Sequence, residues 1–307
     1  MDISIVIPVY NEEKNLPELY KRLFRIIKRL KKSCEIIFVD DGSTDESFEI
    51  LKKTNRRNEN VKVIKFSRNF GHHIAISAGL DHSRGNAVVL MDGDLQDPPE
   101  EIPKLYEKYK EGYDIVYAVR KTRKDPFLKK AVSKFFHLIF RLLGKIETPP
   151  ESGIFRIMSR QSVEALQSCR ERSRFITALI NWTGFSHIGV ETRRESRYAG
   201  RSKYNLFKSL RLAMDGFMSF SFFPLRIATY IGFFVALISF TMMIYMLIKK
   251  LFFGIPILGY VSIIISVLFI GGVQLLIIGI MGEYIGRIYT EVKSRPMYII
   301  KEKLGIK

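Results

Sequence analysis

The sequence predicts an α/β fold with a mostly parallel sheet, followed by two membrane-spanning helices near the C-terminus. Short apolar, β-branched runs alternate with helical periodicity from residue 3 to residue 91. That order gives parallel strands joined by right-handed crossovers. Residues 227–248 and 251–282 contain no charged side chain, and a spanning helix needs roughly 20 apolar residues. Two helices buried in a soluble core are the alternative, which the lack of a polar face disfavours.

The elements of the sheet follow one another closely. The predicted strands cover residues 3–9, 35–39, 61–66 and 87–91. The predicted helices cover residues 15–30, a stretch through Phe48 and Leu51, and residues 73–81. Ser43 or Thr44 is expected to cap the second helix, because hydroxyl side chains accept from free N–H groups at a helix start. The sheet is expected to end near Arg123.

The composition restricts the class of partner. The chain has 307 residues with 49 Lys and Arg against 31 Asp and Glu, a net charge of +18. Such a charge indicates anionic partners, namely nucleic acid, anionic lipid or phosphorylated substrates. The two apolar stretches favour the membrane over nucleic acid. Cys34 and Cys169 show no metal-binding or disulfide spacing, which favours a reducing compartment, and the N-terminus lacks the pattern of a signal peptide.

Charge around the two apolar stretches predicts the orientation in the membrane. Basic residues follow the second stretch, among them Arg287, Lys293, Arg295, Lys301 and Lys303. The positive-inside rule therefore places both termini and the N-terminal domain in the cytoplasm, at the inner (plasma) membrane. Residues 124–146 and 203–222 are basic and amphipathic, so each fits either an anionic membrane surface or packing on the sheet. The membrane is favoured for 203–222, because this segment adjoins the first apolar stretch.

The predicted organisation has four parts. They are a cytoplasmic domain over residues 1–202, a juxtamembrane amphipathic helix over 203–224, two transmembrane helices over 225–283 and a cytoplasmic tail over 284–307.

Three predicted strands end in acidic residues, within residues 8–12, 40–42 and 92–94. Because parallel strands end at one edge of a sheet, where ligands bind, these acids are expected to converge. Two carboxylates at one strand end suit Mg²⁺ or Mn²⁺ held against a diphosphate. A simple turn after the strand would account for Gly93 and the prolines, but it requires neither Gln96 nor the second aspartate.

The combined motifs resemble a known family. V-I-P-V-Y-N-E-E, V-D-D-G-S-T-D, S-R-N-F-G, D-G-D-L-Q-D-P-P, G-x-F-R and S-K-Y follow one another along the chain. This pattern resembles family 2 glycosyltransferases, and more narrowly the polyprenyl-phosphate glycosyltransferases similar to dolichol-phosphate-mannose synthase, which carry two C-terminal spans. The resemblance covers almost the whole chain, including G-E-Y-I-G-R-I-Y at 282–289.

The resemblance implies a GT-A fold, a UDP-linked sugar donor, an undecaprenyl phosphate acceptor, inversion at the sugar and a homo-oligomer. It assigns nucleotide contacts to Pro8, Tyr10, Glu12, Asp40, Asp92 and Arg120. It assigns Mg²⁺ or Mn²⁺ to Asp92, Asp94 and Gln96. It assigns the acceptor phosphate to Arg156, Ser202 and Lys203, so that Asp92, Asp94 and Arg156 are the expected catalytic residues. A solvated surface charge is the alternative for Arg120, and a membrane-surface lysine for Lys203.

One position departs from the family pattern. Many relatives have G-D-F-R where this chain has Gly153-Ile154-Phe155-Arg156, so the aspartate proposed as a base is Ile154 here. A phosphate monoester has a second pKa of about 6 and reaches the site already ionised near neutral pH. It therefore needs little help from a base, and Ile154 is expected to affect the choice of acceptor or sugar.

Two other functions fit parts of the sequence. A processive polysaccharide synthase of the same fold usually carries Q-x-x-R-W and more spans, but the only tryptophan here is Trp182, outside such a motif. A catalytically inactive membrane adaptor would keep the fold, but the intact Asp92, Asp94 and Gln96 argue against it.

Overall fold

A computed structural model of the chain describes residues 1–120, 153–172, 174, 176–195, 223–253 and 259–306. The described residues form two compact units: those up to 195 together with 295–306, and those from 223 to 294. The predicted amphipathic segments 124–146 and 203–222 lie outside the described residues, as do Ser202 and Lys203.

The first unit is built on one mixed sheet of eight strands in the described part of the chain. They are β1 (Ile3–Val9), β2 (Cys34–Asp40), β3 (Val61–Phe66), β4 (Ala87–Leu90), β5 (Ile115–Arg120), β6 (Arg156–Ser159), β7 (His187–Thr192) and β8 (Ile300–Leu304). Their order across the sheet is β7-β5-β6-β4-β1-β2-β3-β8. The pairs β1–β2, β1–β4, β2–β3 and β5–β7 are parallel, whereas β3–β8, β4–β6 and β5–β6 are antiparallel. The predicted mostly parallel sheet is confirmed.

The predicted end of the sheet near Arg123 is wrong, because β6, β7 and β8 follow it in sequence. β6 has only four residues. β7 and β8 are the two outer strands, and their residues are mostly half-buried or exposed. Such strands lack the continuous apolar run that identifies a strand buried on both faces.

Helices alternate with the first four strands, as the periodicity predicts, and others follow them. They are α1 (Leu16–Leu30), α2 (Ser47–Arg57), α3 (His72–Asp81), α4 (Ile102–Tyr109), α5 (Arg160–Ser168) and α6 (Ile176–Trp182). Every residue of β1 and β2 is buried, so both strands lie in the centre of the core. α1 buries Leu16, Leu19, Leu23 and Ile26 along one stripe, and burying each such side chain contributes about 1.5–3 kcal/mol.

The second unit is a pair of long helices, α7 (Phe223–Phe253) and α8 (Tyr260–Val292). Within them, Leu225–Phe252 and Phe269–Val292 are long and apolar enough to cross a membrane by length and composition. Large apolar side chains such as Phe233 are exposed along the helices, which is unusual on a soluble surface. The two predicted apolar helices are confirmed, whereas their orientation in a membrane stays a prediction.

The residues of the predicted C-terminal tail, 284–307, contain the end of α8 and a strand of the sheet. α8 continues to Val292, and residues 295–306 return to the first unit, where β8 pairs with β3. The Tyr298 hydroxyl donates to Asp81 Oδ2 at 2.8 Å, and the Tyr298 ring stacks on Phe66. An outer strand leaves backbone groups unpaired, and this segment satisfies those of β3.

Candidate active site

Three strand ends meet at one edge of the sheet, as the sequence predicts. β1 lies between β2 and β4, and Val9 is opposite Asp40 in the parallel register. The Asp41 N–H donates to the Val9 carbonyl at 2.8 Å, and the Met91 N–H donates to the Val6 carbonyl at 3.2 Å. The loops that follow β1, β2 and β4 are therefore adjacent, and each carries predicted site residues.

The two aspartates at the end of β2 have different partners. Asp41 accepts from the backbone N–H of Phe70 at 2.7 Å and of Gly71 at 3.0 Å, so it holds the loop between β3 and α3. Asp40 Oδ1 accepts from the Ser43 N–H at 3.0 Å. Asp40 Oδ2 is buried and accepts no hydrogen bond from the described residues. An acceptor left open inside a protein is costly and calls for a partner.

Burial also affects the charge of this pair. Both side chains are almost fully inaccessible, and burial raises the pKa of Asp40 and that of Asp41 above the usual value. Hydrogen bonds to Ser43 oppose the shift in the pKa of Asp40, and those to Phe70 and Gly71 oppose it in the pKa of Asp41. Both groups thus hold their charge less readily than an exposed aspartate.

The loop after β1 is tied to the loop after β2. The Asn11 N–H donates to Ser43 Oγ at 3.0 Å, and the Thr44 N–H donates to Asn11 Oδ1 at 2.8 Å. Asn11 has a φ of 53°, a left-handed conformation that asparagine tolerates. The predicted cap by Ser43 or Thr44 is wrong, because α2 begins at Ser47. The two residues join the strand ends instead.

The other residues predicted to line the nucleotide pocket on β1 lie on or beside this loop. Pro8 is buried within the strand, opposite Val39 of β2. Tyr10 is exposed at the strand end. The Glu12 N–H donates to Ser47 Oγ at 2.9 Å, which joins this loop to the start of α2. The exposed Tyr10 ring leaves a flat surface at the edge of the sheet.

The loop after β4 brings Asp92, Asp94 and Gln96 together. The Gln96 N–H donates to Asp94 Oδ1 at 3.1 Å. Leu95 between them is buried and has a φ of 60°, a left-handed conformation that costs energy for a residue with a side chain. Gly93 lies against β1, where an added Cβ would be 3.4 Å from the Pro8 carbonyl oxygen. This reversal places the two carboxylates and the amide on one short loop.

The structure adds three residues near this loop that the sequence did not indicate. His72 Nε2 lies 3.4 Å from Asp92 Oδ1, at the start of α3. The Arg194 guanidinium donates to Gln96 Oε1. The Glu195 N–H donates to the Gln96 carbonyl at 2.9 Å. The doublet of arginines at 193 and 194 was the available signal, but nothing local in the sequence connects it with Gln96.

The predicted arginines differ in their positions. Arg156 begins β6 opposite Leu90 and is 1% exposed. Its guanidinium donates to the Gly153 carbonyl at 2.5 Å and the Ile154 carbonyl at 3.3 Å. No carboxylate among the described residues forms an ion pair with it, and burial lowers the pKa of Arg156 to about 10. Arg120 is the last residue of β5, opposite Thr192 of β7.

Two known protein families match the chain, one in each unit. Residues 4–167 match the family described as Glycosyl transferase family 2. Residues 223–288 match the family described as GtrB C-terminal hairpin.

Several relatives are similar over nearly their whole length. The SfII prophage-derived bactoprenol glucosyl transferase of Shigella flexneri is 46% identical over 306 residues, with 98% of each chain covered. The prophage bactoprenol glucosyl transferase homolog of Escherichia coli K12 is 41% identical, covering 98% of this chain and 99% of that protein. The glycosyltransferase YkcC of Bacillus subtilis is 45% identical, covering 99% and 94%.

Solved structures are similar at a lower level. Glucosyl-3-phosphoglycerate synthase from Mycobacterium tuberculosis, in complex with Mn²⁺, uridine diphosphate and phosphoglyceric acid, has 18% identity and a TM-score of 0.48, covering 69% of this chain and 75% of that chain. TarS from S. aureus has 18% identity and a TM-score of 0.45, covering 63% and 59%.

Proposed function

Because this chain belongs to glycosyl transferase family 2, we propose that it transfers glucose from a UDP-linked donor to a polyprenyl phosphate, inverting the anomeric carbon. Two of the relatives above 40% identity are named a bactoprenol glucosyl transferase and a homolog of one, and these names support the sugar and the acceptor. The two-helix hairpin supports a site at a membrane surface, where the phosphate of a lipid is accessible. The match to that hairpin fits a two-span enzyme better than a synthase with more spans.

One observation carries the proposal: Asp92, Asp94 and Gln96 lie at the same edge of the sheet as the buried Asp40, with β1 between their strands. The described residues contain no group of three His, Cys, Asp or Glu side chains that would hold a metal alone. Two carboxylates with an amide oxygen instead fit Mg²⁺ or Mn²⁺, which bind through one or two carboxylates together with substrate phosphates. When bound, such a cation neutralises the charge that develops on the leaving diphosphate.

Asp40 is the proposed recognition group for the nucleotide base. Its Oδ2 is buried, accepts no hydrogen bond from the described residues and belongs to the strand next to β1. Uracil offers one N–H donor, which would satisfy this oxygen and offset the cost of burying it. Tyr10 is exposed at the neighbouring strand end, where its ring can stack on a base.

Arg156 is the proposed group nearest the acceptor phosphate. A buried guanidinium without a carboxylate partner in the described residues is costly, and a phosphate that reached it would offset that cost. Ser202 and Lys203 would add donors from the segment before α7. An oxygen of the ionised acceptor phosphate then attacks the anomeric carbon as the bond to the diphosphate breaks. No proton has to move, which fits Ile154 in place of an acid.

Orientation and assembly complete the proposal. Both termini lie in the cytoplasm, as the basic residues after the second span predict. A homo-oligomer would form through the helical hairpin, since Gln274 is exposed on α8 and a polar side chain in a membrane favours a partner helix.

The test is a panel of radiolabelled UDP-sugars and GDP-sugars with undecaprenyl phosphate, using the full chain in detergent. We expect label from UDP-glucose to enter a lipid product when Mn²⁺ or Mg²⁺ is present, and none to enter with EDTA. Transfer from a different donor would show that the transferred sugar is not glucose. No transfer from any donor by folded protein would overturn the enzymatic proposal.

A further inference from the structure

The segment that follows β7 is attached to the carboxylate loop at two points. The Glu195 N–H donates to the Gln96 carbonyl, and the Arg194 guanidinium donates to the Gln96 side-chain oxygen. Both contacts are made to one residue, although 98 positions separate Arg194 from Gln96. The segment therefore places a cation directly beside the loop that carries Asp92 and Asp94.

An ion-pair network holds this segment in place. Arg22 of α1 donates to both carboxylate oxygens of Glu195, at 2.9 and 3.1 Å. Arg22 also binds Glu100 through two nitrogens, at 2.6 to 3.1 Å, and its side chain is only 14% exposed. Bidentate networks of this kind are stronger than single surface pairs. Since Thr192 is held in the sheet, Arg194 is fixed from both sides.

The partner of Arg194 does not match its charge. A guanidinium has five N–H donors, but the described residues give Arg194 only a neutral amide oxygen and no ion pair. Its side chain remains exposed. The Gln96 oxygen is also one of the three predicted metal ligands, so a bound cation would compete with Arg194 for it. Arg194 would then have free donors next to an anionic ligand.

We propose that Arg194 is a donor-binding residue that forms bidentate hydrogen bonds with the diphosphate once Gln96 turns to the metal. This inference rests on the proposed function, because that function supplies the diphosphate. Arginine suits the role, since its planar fork matches two phosphate oxygens. In the reaction Arg194 would stabilise the leaving diphosphate, and it would neither give nor take a proton.

The experiment measures binding of UDP and of UMP, each with Mn²⁺, by calorimetry on the full chain in detergent. For Arg194→Ala we expect UDP binding to weaken by about 10- to 100-fold, the range for hydrogen bonds to a charged group. UMP binding should change by less than about 3-fold, because UMP lacks the second phosphate. Arg194→Lys should recover part of the loss. Arg193→Ala is the matched control, since Arg193 is exposed and makes no hydrogen bond within the described residues.

A second arm separates direct contact from an effect through Gln96. In a Gln96→Ala background, Arg194→Ala should still weaken UDP binding if the guanidinium contacts the diphosphate. No further loss in that background, or equal losses for UDP and UMP, would overturn the proposal in favour of a structural role. Wild-type protein that binds UDP and transfers sugar, together with an unaffected Arg194→Ala variant, would overturn only this inference. Wild-type protein that neither binds UDP nor transfers would overturn the proposed function as well.

Discussion

The ends of β2 and β4 each present two aspartates at the same edge of the sheet, but the fold uses the two pairs differently. Asp40 and Asp41 are 0% and 2% exposed, and Asp41 is fully engaged by backbone N–H groups of the next loop. The side chain of Asp92 remains 34% exposed, and Asp94 is 8% exposed. Along this one edge of the sheet, Asp41 therefore supports the fold, whereas Asp40, Asp92 and Asp94 are the acids proposed to bind the ligand.

Removing a charge at the end of β4 should give the largest effect. We expect Asp94→Asn to lower the rate of sugar transfer by about 10³-fold, because stabilisation of the leaving diphosphate would lose a charged ligand. Membrane insertion and melting temperature should stay unchanged. Initial rates with UDP-glucose measure the effect. Glu59→Gln is the control, since Glu59 is an exposed acid before β3, at the opposite edge of the sheet. Wild-type activity in Asp94→Asn would remove Asp94 from the metal site.

The next largest effect distinguishes the two residues at the end of β2. Asp40→Asn keeps an acceptor for the Ser43 N–H. It removes the negative charge of the carboxylate whose Oδ2 has no hydrogen-bond partner among the described residues. We expect UDP to bind about 10-fold more weakly, which is the lower part of the range for a charged hydrogen bond. The melting temperature should not fall, because a buried charge is lost. Calorimetry and thermal denaturation test both statements, and unchanged UDP affinity would assign Asp40 to the fold.

A smaller effect is expected on stability from the neighbouring residue. Asp41→Ala leaves the Phe70 and Gly71 N–H groups without their acceptor, which should lower the free energy of unfolding by about 2 kcal/mol. Asp41→Asn keeps one acceptor oxygen, so its free energy of unfolding should fall by less. Thermal denaturation of the two variants measures the difference. A variant Asp41→Ala that melts like wild type but fails to bind UDP would reverse the roles of the two aspartates.

The smallest effect is a dependence of stability on pH. Burial raises the pKa of Asp40 above its ordinary value of 3.8, against the attraction of Lys65 and together with the repulsion of Asp45. The folded state thus binds this proton more tightly than the unfolded state does. The stabilisation is complete below the unfolded pKa and is lost as the pH rises through the folded pKa.

Comparison of wild type with Asp40→Asn isolates that dependence. Between about pH 4 and about pH 7 the melting temperature of wild type should fall relative to that of the variant and then level off. A constant difference in melting temperature over this interval would mean that the pKa of Asp40 is the same in the folded and the unfolded state.

Much of the fold and part of the site could be predicted from the sequence. The runs that form β1, β2 and β4 are continuous and apolar, so both the strands and the convergence of their ends followed from pattern alone. β7 and β8 were missed because outer strands bury only one face. Ser43 was misassigned as a cap because its hydroxyl fits a helix start as well as it fits the Asn11 N–H. His72 and Arg194 were missed because their partners lie far away in the chain.

The sequence by itself determined the parallel arrangement of the first strands, the acids at their ends and two helices long enough to cross a membrane. These properties depend on the spacing and polarity of residues that are close in the sequence, so they can be read from it directly. Only the tertiary structure decided that Asp41 supports a loop while Asp40 keeps an open oxygen, that Arg194 lies on Gln96, and that the C-terminal residues complete the sheet. Those outcomes depend on the register and packing of distant segments, and no local pattern specifies them.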